Sequence, residues 1–383
     1  MHYHLSPHAC LKWLETRSVY HLRTDELYEL DEQSFDFLHL CSSGEDCSGD
    51  DAAFIAYCKE EGILVPFPAV VQRPPLNKSP EPSLRYLELQ ITNRCNLRCR
   101  HCYIGDTALH ELTVDQIRNV LREFEEMQGL RVLITGGEPL LHGDFPAINR
   151  MLPEFMLRKV LFSNGLQITA ALLDELQVDE IQISIDGLEP AHDSLRGKGS
   201  FRKAMDALAL CIKRGFAVSV STMVHAGNLA DFEIMDTMFR EMGVRDWTVD
   251  VPCVSGRLED NQEFRISPAE GGRYLGYGFG AGIHGSGEGF GCGLHLMSVL
   301  ADGRIAKCTF YADNYVGTIN DGLRECWKRI VPVRLADLAC DCAYLETCRG
   351  GCRYRAKLLG SATGKDLYRC SLYDIIKSET DRI

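Results

Sequence analysis

The chain is 383 residues long and carries 17 cysteines, with 41 basic against 54 acidic side chains and a formal net charge of −13. At roughly 150 residues per domain this length allows two or three domains, and 45% apolar with 25% charged residues is a balance that excludes wholesale disorder and fibrous architectures. The acidic excess disfavours nucleic acid as a partner, because no basic surplus meets a phosphate backbone.

The start, from Met1 to Ser18, lacks the apolar stretch of a signal peptide, and no window reaches the roughly 18 apolar residues of a membrane span. A cytoplasmic protein is expected, in a compartment where structural disulfides are rare. Cys10, Cys41, Cys47, Cys58, Cys211 and Cys326 are isolated in sequence and read as buried or incidental thiols. Residues 1–65 read as a unit of their own. A short helix comes first, then a hairpin through Val19, Tyr20, Leu22, Leu27, Tyr28 and Leu30, then two helices. Asp31 starts the first of these helices and Gly62 ends the second, before a returning strand at Ile63 to Val65.

Residues 66–83, with Pro74, Pro75 and Pro80, read as an extended linker. Six strand candidates follow, at Leu84 to Ile91, Arg131 to Thr135, Lys159 to Phe162, Glu180 to Ile185, Ala217 to Met223 and Trp247 to Val251. Amphipathic stretches near 112–128, 169–176, 201–214 and 229–241 separate them as crossover helices. The expected unit over 84–270 is an open or partial barrel, or a doubly wound sheet, with chemistry at the carboxyl ends of the strands. Over 271–383 the periodicity fades into a Gly-rich run and then eight cysteines between Cys292 and Cys370. That composition suits a domain organised by metal, which supplies folding energy where an apolar core does not. Asp302-Gly303 marks a hairpin inside it.

Directly after the first of the six strands stands Cys95-x3-Cys99-x2-Cys102. Three thiolates on one loop can hold an iron–sulfur cubane and leave one iron open to a reacting molecule, whereas a structural zinc site wants a fourth protein ligand such as His101. This motif resembles that of the radical S-adenosylmethionine (SAM) superfamily. The resemblance implies a [4Fe-4S] cluster on Cys95, Cys99 and Cys102, with SAM on the open iron and a 5′-deoxyadenosyl radical that abstracts hydrogen. It implies further SAM contacts at Gly136-Gly137-Glu138-Pro139, with Glu138 and exposed backbone accepting from the SAM ammonium, and at His101 and Tyr103 near adenine. Ser163-Asn164 and Ser184 with Asp186 are implied near the ribose and methionine moieties, Arg196 on the SAM carboxylate, and Gly256 in an adenine-side loop.

Cys292-x15-Cys308 followed by Cys340-x-Cys342-x5-Cys348-x3-Cys352-x17-Cys370 resembles the SPASM extension of peptide-modifying radical SAM maturases. That resemblance implies two auxiliary iron–sulfur clusters, one on Cys292, Cys308 and Cys352 and one on Cys340, Cys342, Cys348 and Cys370. Two departures stand out. The usual C-x2-C pair is shortened to Cys340-Asp341-Cys342, and no cysteine stands just upstream of Cys292, which leaves an open iron, a non-cysteine ligand or Cys253 for the first cluster.

Residues 1–65 resemble a winged-helix-like peptide-recognition domain in which a leader peptide adds as a strand. The fold expected is therefore a partial (β/α)6 barrel of TIM type, preceded by this small α+β domain and followed by a SPASM domain. The function implied is SAM-dependent maturation of a ribosomally made precursor peptide, with flavodoxin or ferredoxin as electron donor and with no nucleic acid or membrane involved. Modification of porphyrin side chains, as in alternative haem synthesis, is the second implied reading. A non-catalytic leader-binding or electron-transfer protein is the third.

Overall fold

The computed structural model describes residues 3–43, 47, 49–67, 71–282 and 287–376. The amino-terminal unit contains β1 (His4–Leu5), β2 (Ala9–Trp13), β3 (Arg17–His21), β4 (Glu26–Glu29), α1 (Glu32–Ser42), α2 (Ala52–Glu60) and β5 (Leu64–Val65). The expected hairpin is β3 and β4, paired antiparallel from Ser18 with Glu29 to His21 with Glu26. The expected first helix is instead β2, which adds to the hairpin as a third strand. Ala9 and Leu11 of β2 pack with Val19 and Leu38, while Cys10 packs on the opposite face with Tyr20. This is the two-sided alternation of a strand. Asp31 caps α1 by accepting from Ser34 N at 2.7 Å, and Gly62 follows α2 with φ +67°. Cys41 and Cys47 are joined in a disulfide, which corrects their reading as incidental thiols. The fold brings two cysteines six residues apart to bonding distance at the end of α1.

The barrel is built from β6 (Tyr86–Thr92), α3 (Val114–Glu126), β7 (Arg131–Gly136), α4 (Phe145–Met151), β8 (Arg158–Ser163), α5 (Ala170–Glu175), β9 (Glu180–Ser184), α6 (Glu189–Arg196), α7 (Ser200–Lys213), β10 (Ala217–Met223), α8 (Phe232–Met242) and β11 (Asp246–Asp250). The strands β6 to β11 are parallel and neighbour one another in sequence order. Such an order makes a partial barrel, because a doubly wound sheet reverses its strand order at a switch point. Beyond it, β12 (Leu296–Val299) pairs parallel with β6, and β13 (Arg304–Ala306) and β14 (Gly317–Thr318) continue antiparallel, with the 302–303 turn between β12 and β13 as expected. Strands β6 to β14 thus form one nine-stranded sheet that carries the Cys-rich segment on the outer edge of β6.

The core lies between the barrel strands and their helices. Leu87, Leu89 and Ile91 of β6 point outward to Ile117, Val120, Leu121 and Phe124 of α3. The alternate residues Glu88 and Gln90 point inward, as period-two alternation requires. The amino-terminal unit docks at the opening ends of the strands, away from the Cys95 loop. Lys12 Nζ donates to Gly129 O at 2.7 Å, and the fully buried Arg158 donates to Leu22 O at 2.6 Å and to Glu180 Oε2 at 2.6 Å. Among the described residues no helix is long and apolar enough to cross a membrane.

Candidate functional site

The loop after β6 carries Cys95, Cys99 and Cys102 and is clamped by its own neighbours. Thr92 Oγ1 donates to Glu111 at 2.9 Å and accepts from Arg94 N at 2.9 Å, and Asn93 bonds to Thr107, Ala108 and His110. At its far end Arg257 donates to Gly105 O at 3.0 Å and Asp106 Oδ1 at 2.7 Å. Glycine is required twice in the surroundings. A Cβ on Gly136 would lie 2.0 Å from Thr92 O, and one on Gly256, whose φ is +57°, would lie 2.5 Å from Cys102 O.

The three thiols face a cavity of about 290 Å³ at the carboxyl ends of the strands. His101, Tyr103, Gly136 and Gly137 line it, as do Ser163, Asn164, Ser184 and Arg196. Pro139, Asp186 and Gly256 stand outside this lining. Glu138 also stands outside it, which departs from the expectation of an acceptor for an ammonium. The Glu138 carboxylate is fully buried and accepts from Ser163 Oγ at 3.0 Å, Asn164 N at 2.8 Å and Leu140 N at 3.3 Å. Its lone pairs join the ends of β7 and β8, and burial pushes its pKa up to about 7.

Asp186, at the end of β9, organises the charges behind the cavity. It accepts from Arg196 Nε at 2.5 Å and Met223 N at 2.7 Å. Burial opposes its ionisation, but Arg196, His101 and His192 outweigh it and hold the carboxyl well below the usual range. Burial drives His101 down to about 4 against the pull of Asp186, so the ring is neutral near pH 7. Its Nδ1 is buried with no hydrogen-bond partner among the described residues. Arg196 also points Nη1 at Cys99 Sγ, 4.0 Å away. Three thiols, an orphaned ring nitrogen and an oriented guanidinium on one cavity fit an iron–sulfur cluster carrying a zwitterionic ligand. No described group of three or more His, Cys, Asp or Glu side chains is drawn together as a single ion would need. Thiolates on separate irons of a cluster stand farther apart than ligands of one ion.

The carboxyl-terminal cysteines fall into two groups. Cys292, Cys308 and Cys352 lie within charge range of one another, with burial as the main influence raising the Cys292 and Cys308 thiols. Burial pushes Cys370 up to about 11, with the charges of Cys340, Asp366, Cys348 and Cys342 adding to it. Arg353 is 1% exposed and interacts with Cys292 on one side and Cys340 on the other, and its Nη2 has no hydrogen-bond partner among the described residues. A buried cationic donor left open between two thiol groups fits anionic clusters there. Cys253 is buried, with its thiol beside that of Cys352.

Some lining residues have no motif behind them. Thr309 and Phe310, just after β13, form part of the cavity wall. The Phe310 ring meets Tyr103 at 5.0 Å and stacks on Tyr354 at 5.7 Å. They follow Cys308 directly, but only the β12–β6 pairing delivers them to the barrel. Glu88 is the second such case, accepting from Ser298 Oγ and from Thr309 N at 3.0 Å. A carboxylate inside the apolar strand Tyr86–Thr92 was the available signal.

Residues 89–239 match the family model described as Radical SAM superfamily. AdoMet-dependent heme synthase from Methanosarcina barkeri is 29% identical over 199 residues, covering 50% of this chain and 56% of that protein. The chain spans about half the length of the heme synthases it matches, 56%, 54% and 47% for three of them. Mycofactocin maturase MftC from Mycolicibacterium smegmatis is 28% identical over 305 residues, covering 70% of this chain and 77% of that protein. In fold, the chain resembles Streptococcus suis SuiB bound to precursor peptide SuiA, with a TM-score of 0.68 at 14% identity over 95% of this chain and 98% of SuiB. Residues 89–239, which carry the three-cysteine loop and the strands around it, are thus a radical SAM domain, set in a chain that shares its fold with SuiB along nearly the whole length.

Proposed function

We propose that the protein is a radical SAM maturase that forms a crosslink or related oxidative modification in a ribosomally made precursor peptide. When bound, the cluster and SAM supply a one-electron cleavage whose 5′-deoxyadenosyl radical abstracts hydrogen. Cys95, Cys99 and Cys102 would hold the cluster. Arg196, aligned by Asp186, would pair with the SAM carboxylate, and the backbone at Gly136 and Gly137 lies open for the amine. Ser163, Asn164 and Ser184 offer polar contacts along the wall, while His101 and Tyr103 supply ring surface. Gly256 and Pro139 shape the loops behind. The two groups of carboxyl-terminal thiols would hold auxiliary clusters that take electrons from the substrate radical, and a flavodoxin or ferredoxin would supply the reducing electron.

The observation that carries the peptide reading is a second cavity of about 340 Å³ that shares Tyr103, Thr309 and Phe310 with the first. The first cavity is the size for one drug-sized molecule, which SAM would fill. The second is walled by His110, Glu259, Asp302, Arg304 and Asp313. Charged groups of both signs suit a peptide backbone and side chains better than an apolar macrocycle. The likeness to SuiB and MftC over most of the chain agrees with this. The outer edge of β4, which among the described residues pairs only with β3, offers backbone for a leader strand. The heme synthases, which align over half the chain, support the porphyrin reading less.

The test is anaerobically reconstituted protein incubated with reductant, SAM and the precursor peptide encoded beside it. We expect 5′-deoxyadenosine together with a peptide mass lowered by the hydrogens lost in a crosslink. Cleavage of SAM with the cognate peptide unchanged in mass would overturn the proposal.

A further inference from the structure

We infer that Cys253 is the fourth thiolate of the iron–sulfur site formed with Cys292, Cys308 and Cys352, which closes that site to substrate coordination. The inference rests on the reading of those three cysteines as cluster ligands. Cys253 follows β11 by three residues and lies 39 residues before Cys292, so no local spacing connects it to the carboxyl-terminal cysteines. The fold does. Its side chain is 2% exposed and its thiol lies beside that of Cys352, close enough for each to influence the other. Cys352 in turn lies with Cys292 and Cys308.

This placement is built into the structure at both ends. Arg355, three residues beyond Cys352, donates to Val251 O at 3.0 Å and Asp250 Oδ1 at 2.5 Å, so it grips the strand end that leads into Cys253. Its other nitrogen donates to Asp366 Oδ2 at 2.9 Å, and that same oxygen accepts from Cys352 N at 2.7 Å. One buried guanidinium therefore ties the end of β11, just before Cys253, to the backbone at Cys352. Packed thiols elsewhere behave differently. Cys10 points at Met156, with Sδ at 3.6 Å and O at 3.9 Å, and Cys326 at Thr318 O, so neither faces another cysteine. Four thiolates are the ordinary complement of a [2Fe–2S] or [4Fe–4S] cluster. A set of three plus one thiol already beside Cys352 meets that count. Cys253 also lines the cavity that holds Cys95, Cys99 and Cys102, so it would place the first auxiliary cluster directly behind the wall of the reaction site, a short path for an electron.

The experiment uses the full chain with C95A, C99A and C102A combined, so that only auxiliary signals remain. Iron content, Mössbauer and EPR spectra and midpoint potential are measured after anaerobic reconstitution, with C253A, with C253S, with C211A as a buried-thiol control, and with C292A/C308A/C352A. We expect C253A and C253S to lose or shift the signal of the first site and to lower its iron, with C211A unchanged. If C253A and C253S keep the parent's iron, spectrum and potential while C292A/C308A/C352A loses a cluster, Cys253 is not a ligand. Iron and spectra unchanged in C292A/C308A/C352A as well would overturn the auxiliary site itself and this inference with it. A far-UV circular dichroism spectrum matching the parent separates ligand loss from misfolding. If C253A and C253S fail that match while C211A keeps it, the thiol is structural and the inference falls.

Discussion

Arg196 donates from Nε to Asp186 Oδ2 at 2.5 Å while its Nη1 points at Cys99 Sγ, 4.0 Å away. One guanidinium thus ties the end of β9 to the three-cysteine loop, and its planar fork is set by a carboxylate that burial alone would neutralise. Asp186→Asn leaves Arg196 without its counter-charge, a loss of about 3–5 kcal/mol for breaking a buried pair. Arg196→Lys removes the fork while keeping the charge. We expect both to weaken SAM binding measured by calorimetry on the reconstituted protein, Asp186→Asn with a lower unfolding midpoint as well. SAM affinity equal to the parent in both would remove Arg196 from the SAM site.

Stability should respond to pH through opposing groups. Burial holds His101 and His192 down to about 4 in the folded chain, against about 6.5 when unfolded. Between those values the unfolded chain binds protons that the folded chain does not, so stability rises with pH. Glu138 runs the other way. Its folded value of about 7 lies above the roughly 4.3 of a free glutamate. Its contribution is full below the lower value and is lost as pH rises through the upper one. Glu138→Gln removes that opposing slope, worth at most about 1.4 kcal/mol per pH unit. Urea unfolding at pH 5, 6 and 7 should therefore show stability rising more steeply with pH in the variant than in the parent. Parallel curves would refute the assignment.

Gly256 has no room for a side chain, because its Cβ would meet Cys102 O at 2.5 Å in a backbone with φ +57°. Gly256→Ala should push the loop away and cost about 1–3 kcal/mol of strain. Iron retained by the three-cysteine loop after desalting should fall, while Gly199→Ala, where nothing stands within 4 Å, should leave iron at the parental level.

Arg158 is wholly buried between the amino-terminal unit and the barrel, bonded to Leu22 O and Glu180. Arg158→Ala strands Glu180 without its cation, while Asp25 keeps Arg131, and should cost about 3–5 kcal/mol. Limited proteolysis is the measurement, with faster cleavage between residues 66 and 83 as the expected outcome. An unchanged digestion rate would show that the unit is held by other contacts.

Phe310 belongs to both cavities, between Tyr103 and Tyr354. Phe310→Leu should leave SAM cleavage near parental rates and lower peptide modification about ten- to a hundredfold, as displaced reactants do. Equal losses in 5′-deoxyadenosine and in modified peptide would mean that the ring serves SAM alone.

The sequence by itself determined the elements that repeat and the motifs that are local. All six parallel strands were legible, Ala217–Met223 to the residue, because buried parallel strands are short apolar runs and their helices carry a 3.6-residue period. The start of α1 at Asp31 was legible because an N-cap is local chemistry. So was the three-cysteine loop, since eight consecutive positions, 95–102, carry it. The strand β2 was not, because five residues with Lys12 inside them satisfy neither period until a partner strand lies beside them. Only the tertiary structure turned Glu138 inward, where Ser163 and Asn164 use its oxygens. It alone brought Phe310 to the cavity, set Cys253 against Cys352 and joined Cys41 to Cys47. Each of these depends on segments meeting through sheet pairing or loop packing. The energy that fixes such meetings is spread over contacts between distant residues, and no window of the sequence contains it.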